Sequence, residues 1–285
     1  MMTLPHLKAL VLKGTDALEW AKERGSRPED GANSAMPKHV FDAIVEHLRT
    51  HVPTQSVCPS SMLLNIIMLR ITCILSTPER TLVFIPERSV VAAAANYSGS
   101  PPMRDVVHHM LIRAGPRSAS IIVSNFVDVL DSPTRWINKI HITHIFEAKS
   151  QYGFDHALPY AVQEIAEWCG RTGRRFGKGI ITYNCLDIWR FISYDAAGED
   201  GRGLSRVTGK SQIMLEVDKV DTILGLVLDM VENASKENLQ FFDKPASNDV
   251  SLLMELFALQ SQLQDESNSR MNAYHNQHNR PAANK

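Results

Sequence analysis

Ile137-Asn138-Lys139-Ile140-His141-Ile142-Thr143-His144-Ile145-Phe146-Glu147-Ala148-Lys149 is the stretch on which the fold turns. Ile140, Ile142, Ile145 and Phe146 put apolar side chains on both faces, the pattern of a strand covered on both sides rather than of an exposed edge. The run ends in a carboxylate and an ammonium two residues apart, Glu147 and Lys149. On a strand, residues two apart point to the same face. An E-x-K triplet on a free surface is worth only about 0–1 kcal/mol. At the end of a covered strand the same charges need a partner, a ligand or a cleft.

Working outward, Ser120 to Leu130 is rich in Ile, Val and Phe and reads as a preceding strand. Asp131-Ser132-Pro133 is then a turn that folds it back antiparallel. A carboxylate alone makes a poor Mg²⁺ site, so a second acid is needed. Asp128 on that preceding run is the candidate, with Asp131 as understudy. On the other side, His156 to Arg171 reads as a helix with Leu158, Ala161, Val162, Ile165, Ala166 and Cys169 on its apolar face. Two strands follow within Gly179 to Tyr194, with Asn184 to Asp187 between them. Gln212 to Val217 reads as a strand and Val220 to Glu232 as a helix.

Towards the N-terminus, Thr81 to Ile85 is a short strand ended by Pro86, and a strand resumes at Ser89 to Val91. Met103 to Arg113 has Val106, Val107, Met110 and Leu111 at helical spacing and reads as a helix that Gly115-Pro116 ends. Leu4 to Lys22, Lys38 to Thr50 and the segment from Cys58 to Leu75 read as helices, with Arg24 to Ala35 a linker. A short helix at Val250 to Gln264 and a polar tail from Ser267 to Lys285, disordered by composition, close the chain.

The chain has 285 residues, 44% hydrophobic and 21% charged, enough for a substantial core. Its net charge of −1 gives no global field for nucleic acid, so such contact would need a local basic surface. Arg171, Arg174, Arg175 and Lys178 form one such cluster, which reads either as compensation of a helix dipole or as a phosphate contact. The four cysteines form no C-x-x-C pair and give no zinc signature. There is no signal-peptide core and no run of roughly 20 apolar residues, so the expected setting is intracellular, cytoplasm or nucleus, without a membrane. Thr208-Gly209-Lys210-Ser211 mimics a phosphate loop, but Leu204 stands where the glycine is required. His144 shares a face with Phe146 and reads as a hydrogen-bonded core residue, whereas His141 shares the face of Glu147. His108 and His109 read as one surface and one half-buried helix residue, and Trp168 and Trp189 as core aromatics.

Asp128, then Glu147-Ala148-Lys149, then a helix carrying Gln163 resembles the D…(D/E)-x-K…Q order of the PD-(D/E)XK nuclease superfamily. Gly179-Ile180-Ile181-Thr182-Tyr183-Asn184 with Ile188-Trp189-Arg190-Phe191 is similar to the strand pair after that helix in relatives of type I restriction subunits. The resemblance spans Ser120 to Asp195. It implies an α/β restriction endonuclease-like core, a mixed central sheet flanked by helices, over residues 36–245 (core about 103–235). Residues 1–35 would be an N-terminal helical extension with its linker, and 246–285 a C-terminal helix and tail. It further implies Mg²⁺- or Mn²⁺-dependent phosphodiester hydrolysis of nucleic acid, DNA before RNA. Asp128 and Glu147 would hold the metal, Lys149 would position the water, and Gln163 would support it. Val127 stands where the family has proline, and the acid of the first core helix is open between Glu46, Glu79 and Glu87. Members of this superfamily also keep the fold without activity, so a non-catalytic module binding nucleic acid or protein is the alternative.

Overall fold

The computed structural model describes residues 6–14, 16–27, 35–52, 57–88, 106–125, 140–148, 150–183, 188–198, 203–208, 211–212 and 220–243. In chain order the elements are β1 (His6–Ala9), β2 (Val11–Leu12), α1 (Ala17–Ser26), α2 (Lys38–His51), α3 (Val57–Leu75), β3 (Thr81–Arg88), β4 (Val106–Ala114), α4 (Pro116–Ser124), β5 (Ile140–Ala148), α5 (Gln151–Thr172), β6 (Phe176–Tyr183), β7 (Ile188–Asp195), β8 (Leu204–Val207), β9 (Ser211–Gln212), α6 (Val220–Glu232) and β10 (Phe242–Asp243). Seven strands form one mixed sheet in the order β1-β8-β7-β6-β5-β4-β3; β9 pairs with the start of β7, and β10 pairs with β2 apart from it. β3, β4 and β5 run antiparallel in succession, and β6 lies parallel to β5 after α5. β7 and β8 return antiparallel, and β1 joins the edge parallel to β8. Among the described residues no helix is long and apolar enough to cross a membrane.

The register sorts side chains onto two faces. Val107, Glu147, Thr182 and Trp189 are aligned across β4, β5, β6 and β7, so they share a face with Leu111, Ile145, Ile180 and Phe191. This face is buried with residues of α3 and α6, among them Leu64, Ile67, Ile223 and Val227. The opposite face carries Phe146, Ile181 and Ile192 and packs on α5 through Phe154, Leu158, Ala161 and Ile165. Its far corner, Met110, Ile112, Ile140 and Ile142, packs on α4 and Trp168. α5 lies close on β6 because Gly177 is there: a Cβ at that position would stand 2.5 Å from Ile165 Cγ2.

The strand expected at Ile137 to Phe146 and the helix after it are present, with β5 running to Ala148 and α5 starting one turn earlier, capped by the Ser150 hydroxyl accepting from Gly153 N–H at 2.9 Å. Three expected elements are different. Met103 to Arg113 is not a helix; its described part is strand β4, whose side chains are buried on both faces, so the run has no period to separate helix from strand. Ser120 to Ser124 is the end of helix α4 rather than a strand, since Pro116 at the first turn suits a helix start. The N-terminal helix expected from Leu4 is instead β1 and β2, followed by α1. Leu7 and Ala9 extend the sheet edge at β8, and Gly14, at φ 63°, turns the chain towards α1. Strand β8 had no counterpart in the expected elements. Pro86 lies within β3 rather than ending it. Residues 89–91, 213–217 and 250–285 lie outside the described residues.

The N-terminal segment is therefore built into the core. α1 presents Ala17, Ala21 and Gly25, all buried, to α6. A Cβ at Gly225 would collide with the Ala21 carbonyl, and one at Gly25 with the Asp221 carbonyl. Arg24–Glu232 at 2.7 Å and Lys38–Asp221 at 3.0 Å flank the crossing. We predict that Gly225→Ala destabilises the protein in urea unfolding by ~2 kcal/mol. Overpacking against backbone costs about 1–3 kcal/mol and outweighs a helix-propensity gain of about 1. An unchanged or higher midpoint would show that the helices are not in backbone contact.

Candidate functional site

Glu147 stands one residue from the end of β5 and is 1% exposed. A carboxylate removed from water costs several kcal/mol unless donors replace the solvent. Two do. The Ser61 hydroxyl of α3 lies 3.0 Å from Oε1 and 3.1 Å from Oε2, and it donates to the carboxylate across 86 positions of sequence. His109 Nε2 of β4 lies 3.3 Å from Oε2. His109 pairs with Ile145 and is the diagonal neighbour of Glu147, within reach of a long side chain on the same face. Phe84 of β3 stacks on its ring, 6.0 Å between centroids and 12° between planes. On the other side Thr182 of β6 is in register with Glu147. It is fully buried, and among the described residues its hydroxyl has no hydrogen-bond partner.

This arrangement sets one hydroxyl and one imidazole against a carboxylate at the end of a central strand, with Thr182 in register on the next strand. A carboxylate can hold a divalent cation, but a single carboxylate supplies less charge than Mg²⁺ ordinarily draws from protein. Among the described residues no group of three or more His, Cys, Asp or Glu gathers to hold a metal ion. Asp128, Asp131 and Lys149 lie outside the described residues. The strands beside β5 are β4 and β6, so the run that was to bring Asp128 alongside is not the neighbour of Glu147.

Gln163 does not join Glu147. It sits on α5, which covers the opposite face, and its Nε2 donates to Glu167 Oε1 at 2.8 Å. Lys178 is fully buried and is not on a surface with the three arginines. Arg171 lies over the Trp168 ring at 5.8 Å. Arg174 donates to Ile140 O at 2.8 Å, and Arg175 Nε to Asp195 Oδ1 at 3.0 Å. Arg171 stands in the last turn of α5 and Arg174 and Arg175 just beyond it, whereas Glu147 precedes its N-terminus. The 22 residues of that helix put about 33 Å between the two ends at 1.5 Å per residue. Glu46 and Glu79 are exposed and bound to Arg49 and Thr77, and the side chain of Glu87 lies outside the described part.

The remaining readings resolve on the same register. His144 is buried on the Phe146 face, where its Nδ1 lies 3.1 Å from His108 Nε2. His141 shares the Glu147 face three rows away, and burial with Arg174 beside it holds its imidazole down at about 4. Trp168 and Trp189 are core residues. Thr208 is structural, its hydroxyl accepting from Phe191 N–H at 3.0 Å. The sequence reading gives Ser61 and His109 no part in the site: one lies far upstream on a helix, and the other falls in a run that reads as a helix, as a surface or half-buried residue, whereas it is a fully buried strand residue. Alternation of Val107, His109 and Leu111 as one strand face was the available signal.

Comparison of the chain with protein-family models, with curated proteins and with solved structures gave no match.

Lys178 is the buried exception in the basic group. It is fully buried, and its Nζ donates to Ser193 Oγ at 2.6 Å. Burial pulls its ammonium down to about 8, against the favourable pull of Asp229. A depressed lysine costs stability most where folding must bury it charged, below its folded pKa, and the cost falls as the folded state sheds the proton ahead of the unfolded one. Its contribution is therefore lowest below about 8 and recovers as pH rises towards 10.5. Cys169, pushed up to about 12 by burial, acts with the opposite sign from pH 9 upward. We predict that the stability difference between parent and Lys178→Met changes by about 1 kcal/mol between pH 8 and 9, in the direction of the parent gaining. The thiol is common to both and cancels. Parallel profiles in urea titrations at the two pH values would refute the assignment.

Proposed function

We propose that this chain is a metal-dependent nuclease of PD-(D/E)XK type, with the end of β5 as its active corner. The observation that carries the reading is Glu147: a carboxylate sequestered at the end of a strand covered on both faces, and met there by side chains of two distant elements. The order of elements supports it. A first helix, α3, is followed by strands ending in β5 with the E-x-K triplet, then by α5, then by the strand pair β6 and β7. α3 supplies a residue to the site, Ser61, at the place where the resemblance puts a contribution from the first core helix.

Glu147 would hold the cation, and a second acid is required. A neighbouring strand has to bring it, and in the sequence Asp105 immediately precedes β4, whose Val106 pairs with Ala148. Asp105 therefore joins Asp128 as a candidate. A bound Mg²⁺ or Mn²⁺ would polarise the phosphate and lower the pKa of water. Ser61 orients the Glu147 carboxylate, and Lys149, two residues on, would steady the attacking water or the charge developing on the phosphate. Gln163 has no part in this reading.

A second reading keeps the fold and drops the chemistry, as a module that binds nucleic acid or protein. The hydrogen bonds from Ser61 and His109 to Glu147 favour it, because a buried carboxylate that has donors is stabilised without a cation. Plasmid nicking with Mg²⁺ and with Mn²⁺ separates the two. We predict nicking by the parent and a loss of about 10²–10³-fold in Glu147→Gln and in Lys149→Ala. Of Asp105→Asn and Asp128→Asn, the one that matches that loss identifies the second acid. No nicking of DNA or RNA with either cation sinks the catalytic reading, and nicking that survives Glu147→Gln sinks the site.

A further inference from the structure

We propose that the outer side of α3 is a docking seam for the chain's own C-terminal stretch, residues 250–264, which packs along it as an added helix. The inference is independent of the reading of Glu147. Three observations carry it.

The first is the make-up of α3. Leu64, Met68, Ile71 and Leu75 are buried in one core with Leu111, Ile145 and Ile180 of the sheet. Successive residues of a helix turn by about 100°. Met62, Ile66, Leu69 and Cys73, at intervals of four, three and four residues, therefore form one stripe on the opposite side. Met62 is 41% exposed and Leu69 45%, and Ile66 and Cys73 are half-buried. A surface helix ordinarily sets a charged face against its apolar one. The 19 residues of α3 hold one charged side chain, Arg70, and it is fully buried. The outer side thus carries no charge, and its stripe has the interval pattern of two helices packed knobs into holes.

The second is the sequence of the stretch, which lies outside the described residues. Leu252, Leu256, Leu259 and Leu263 repeat the intervals of the α3 stripe, and Glu255 is the one charge between Val250 and Gln264. An isolated helix shorter than about 12–15 residues is marginal in water, so a helix over this stretch draws its stability from an apolar partner. The two seams match in length and in intervals, and neither carries a charge.

The third is where the described chain ends. β10 finishes at Asp243, and Phe242 is packed in the same core as Leu64, Ile67 and Met68 of α3. Residues 244–249 reach about 20 Å when extended. α3 is about 28 Å long at 1.5 Å per residue. The stretch therefore begins within a helix length of the seam. So short a tether holds it at an effective concentration on the order of mM, which favours the same chain over a second copy.

Cys73, a free thiol at the last position of the stripe, is the reporter. Leu252→Cys and Leu263→Cys are made singly in the full chain and oxidised mildly, and cross-links are located by peptide mass spectrometry. A disulfide needs Cα atoms within about 7 Å, so Cys73 can meet one end of a docked stretch and not the other. Expected is a Cys73 disulfide within one chain, formed ~10-fold faster in one variant than in the other; the faster one gives the direction of the added helix. Maleimide labelling of Cys73 is expected to be ~10-fold faster in the full chain carrying Leu256→Glu and Leu259→Glu than in the parent. No Cys73 cross-link in either variant, or an unchanged labelling rate, overturns the inference. A Cys73 disulfide that joins two chains also overturns it and assigns the seam to a second copy. Should the doubly charged variant fail to fold, the cross-links decide.

Discussion

The covering of β5 on both faces is the constraint from which the rest follows. From Ile142 to Ala148 every side chain is buried, by α3 and α6 on one side and by α5 on the other. No water is at hand for a polar residue there, so each is matched by a protein group or is costly. His144 takes His108, and Glu147 takes Ser61 and His109. The polar residues of this strand thereby fix the placement of β4 and α3 as firmly as the apolar ones do.

That constraint also explains what the sequence disclosed. A strand buried on both faces shows as a dense β-branched run ending where charge begins, and Ile137 to Lys149 was legible on that ground. The α5 helix and the β6–β7 pair were legible because their periods are clean. β4 was not: Val106-Val107-His108-His109-Met110-Leu111 is apolar at helical and at strand spacing alike, since both faces are covered. The error carried forward. With β4 taken for a helix, the strand beside β5 had to be sought in Ser120 to Leu130, and Asp128 became the partner acid by default. The N-terminus failed for a different reason. Leu7 and Ala9 form a strand only because β8 offers them an edge, a long-range pairing that no local propensity reports.

The sheet separates two electrostatic regions on its Glu147 face. At one end stands the Glu147 carboxylate with Ser61 and His109. Towards the other end, the aligned Lys178, Ser193 and Arg206 of β6, β7 and β8 form a buried polar row. Arg206 reaches Glu237 at 3.5 Å, and Asp229 pins the turn after α6 that carries Phe242 to its pairing with Leu12. The donors to Asp229 are backbone groups of that turn, so its role is explained by closing the chain on itself. Basic side chains in this row serve the core. A phosphate contact near Glu147 would have to come from the chain around Lys149, not from the Arg171 to Lys178 cluster.

His108 and His109 show how far function here depends on secondary structure rather than on residue identity. On a helix the two rings would differ by about 100° and could both line one broad face. On a strand they are opposed. His108 goes to the α5 side, stacked on Phe146 at 4.6 Å and bonded to His144. His109 goes to the α3 side and to Glu147. One of the two adjacent imidazoles is thus spent on packing and the other stands beside the carboxylate. A shift of β4 by one residue would exchange them, putting His108 next to Glu147 and His109 into the core, while Val107 and Leu111 would leave the α3 face. Six paired apolar positions on β4 oppose that shift, so the imidazole beside Glu147 is selected by the packing of the whole sheet.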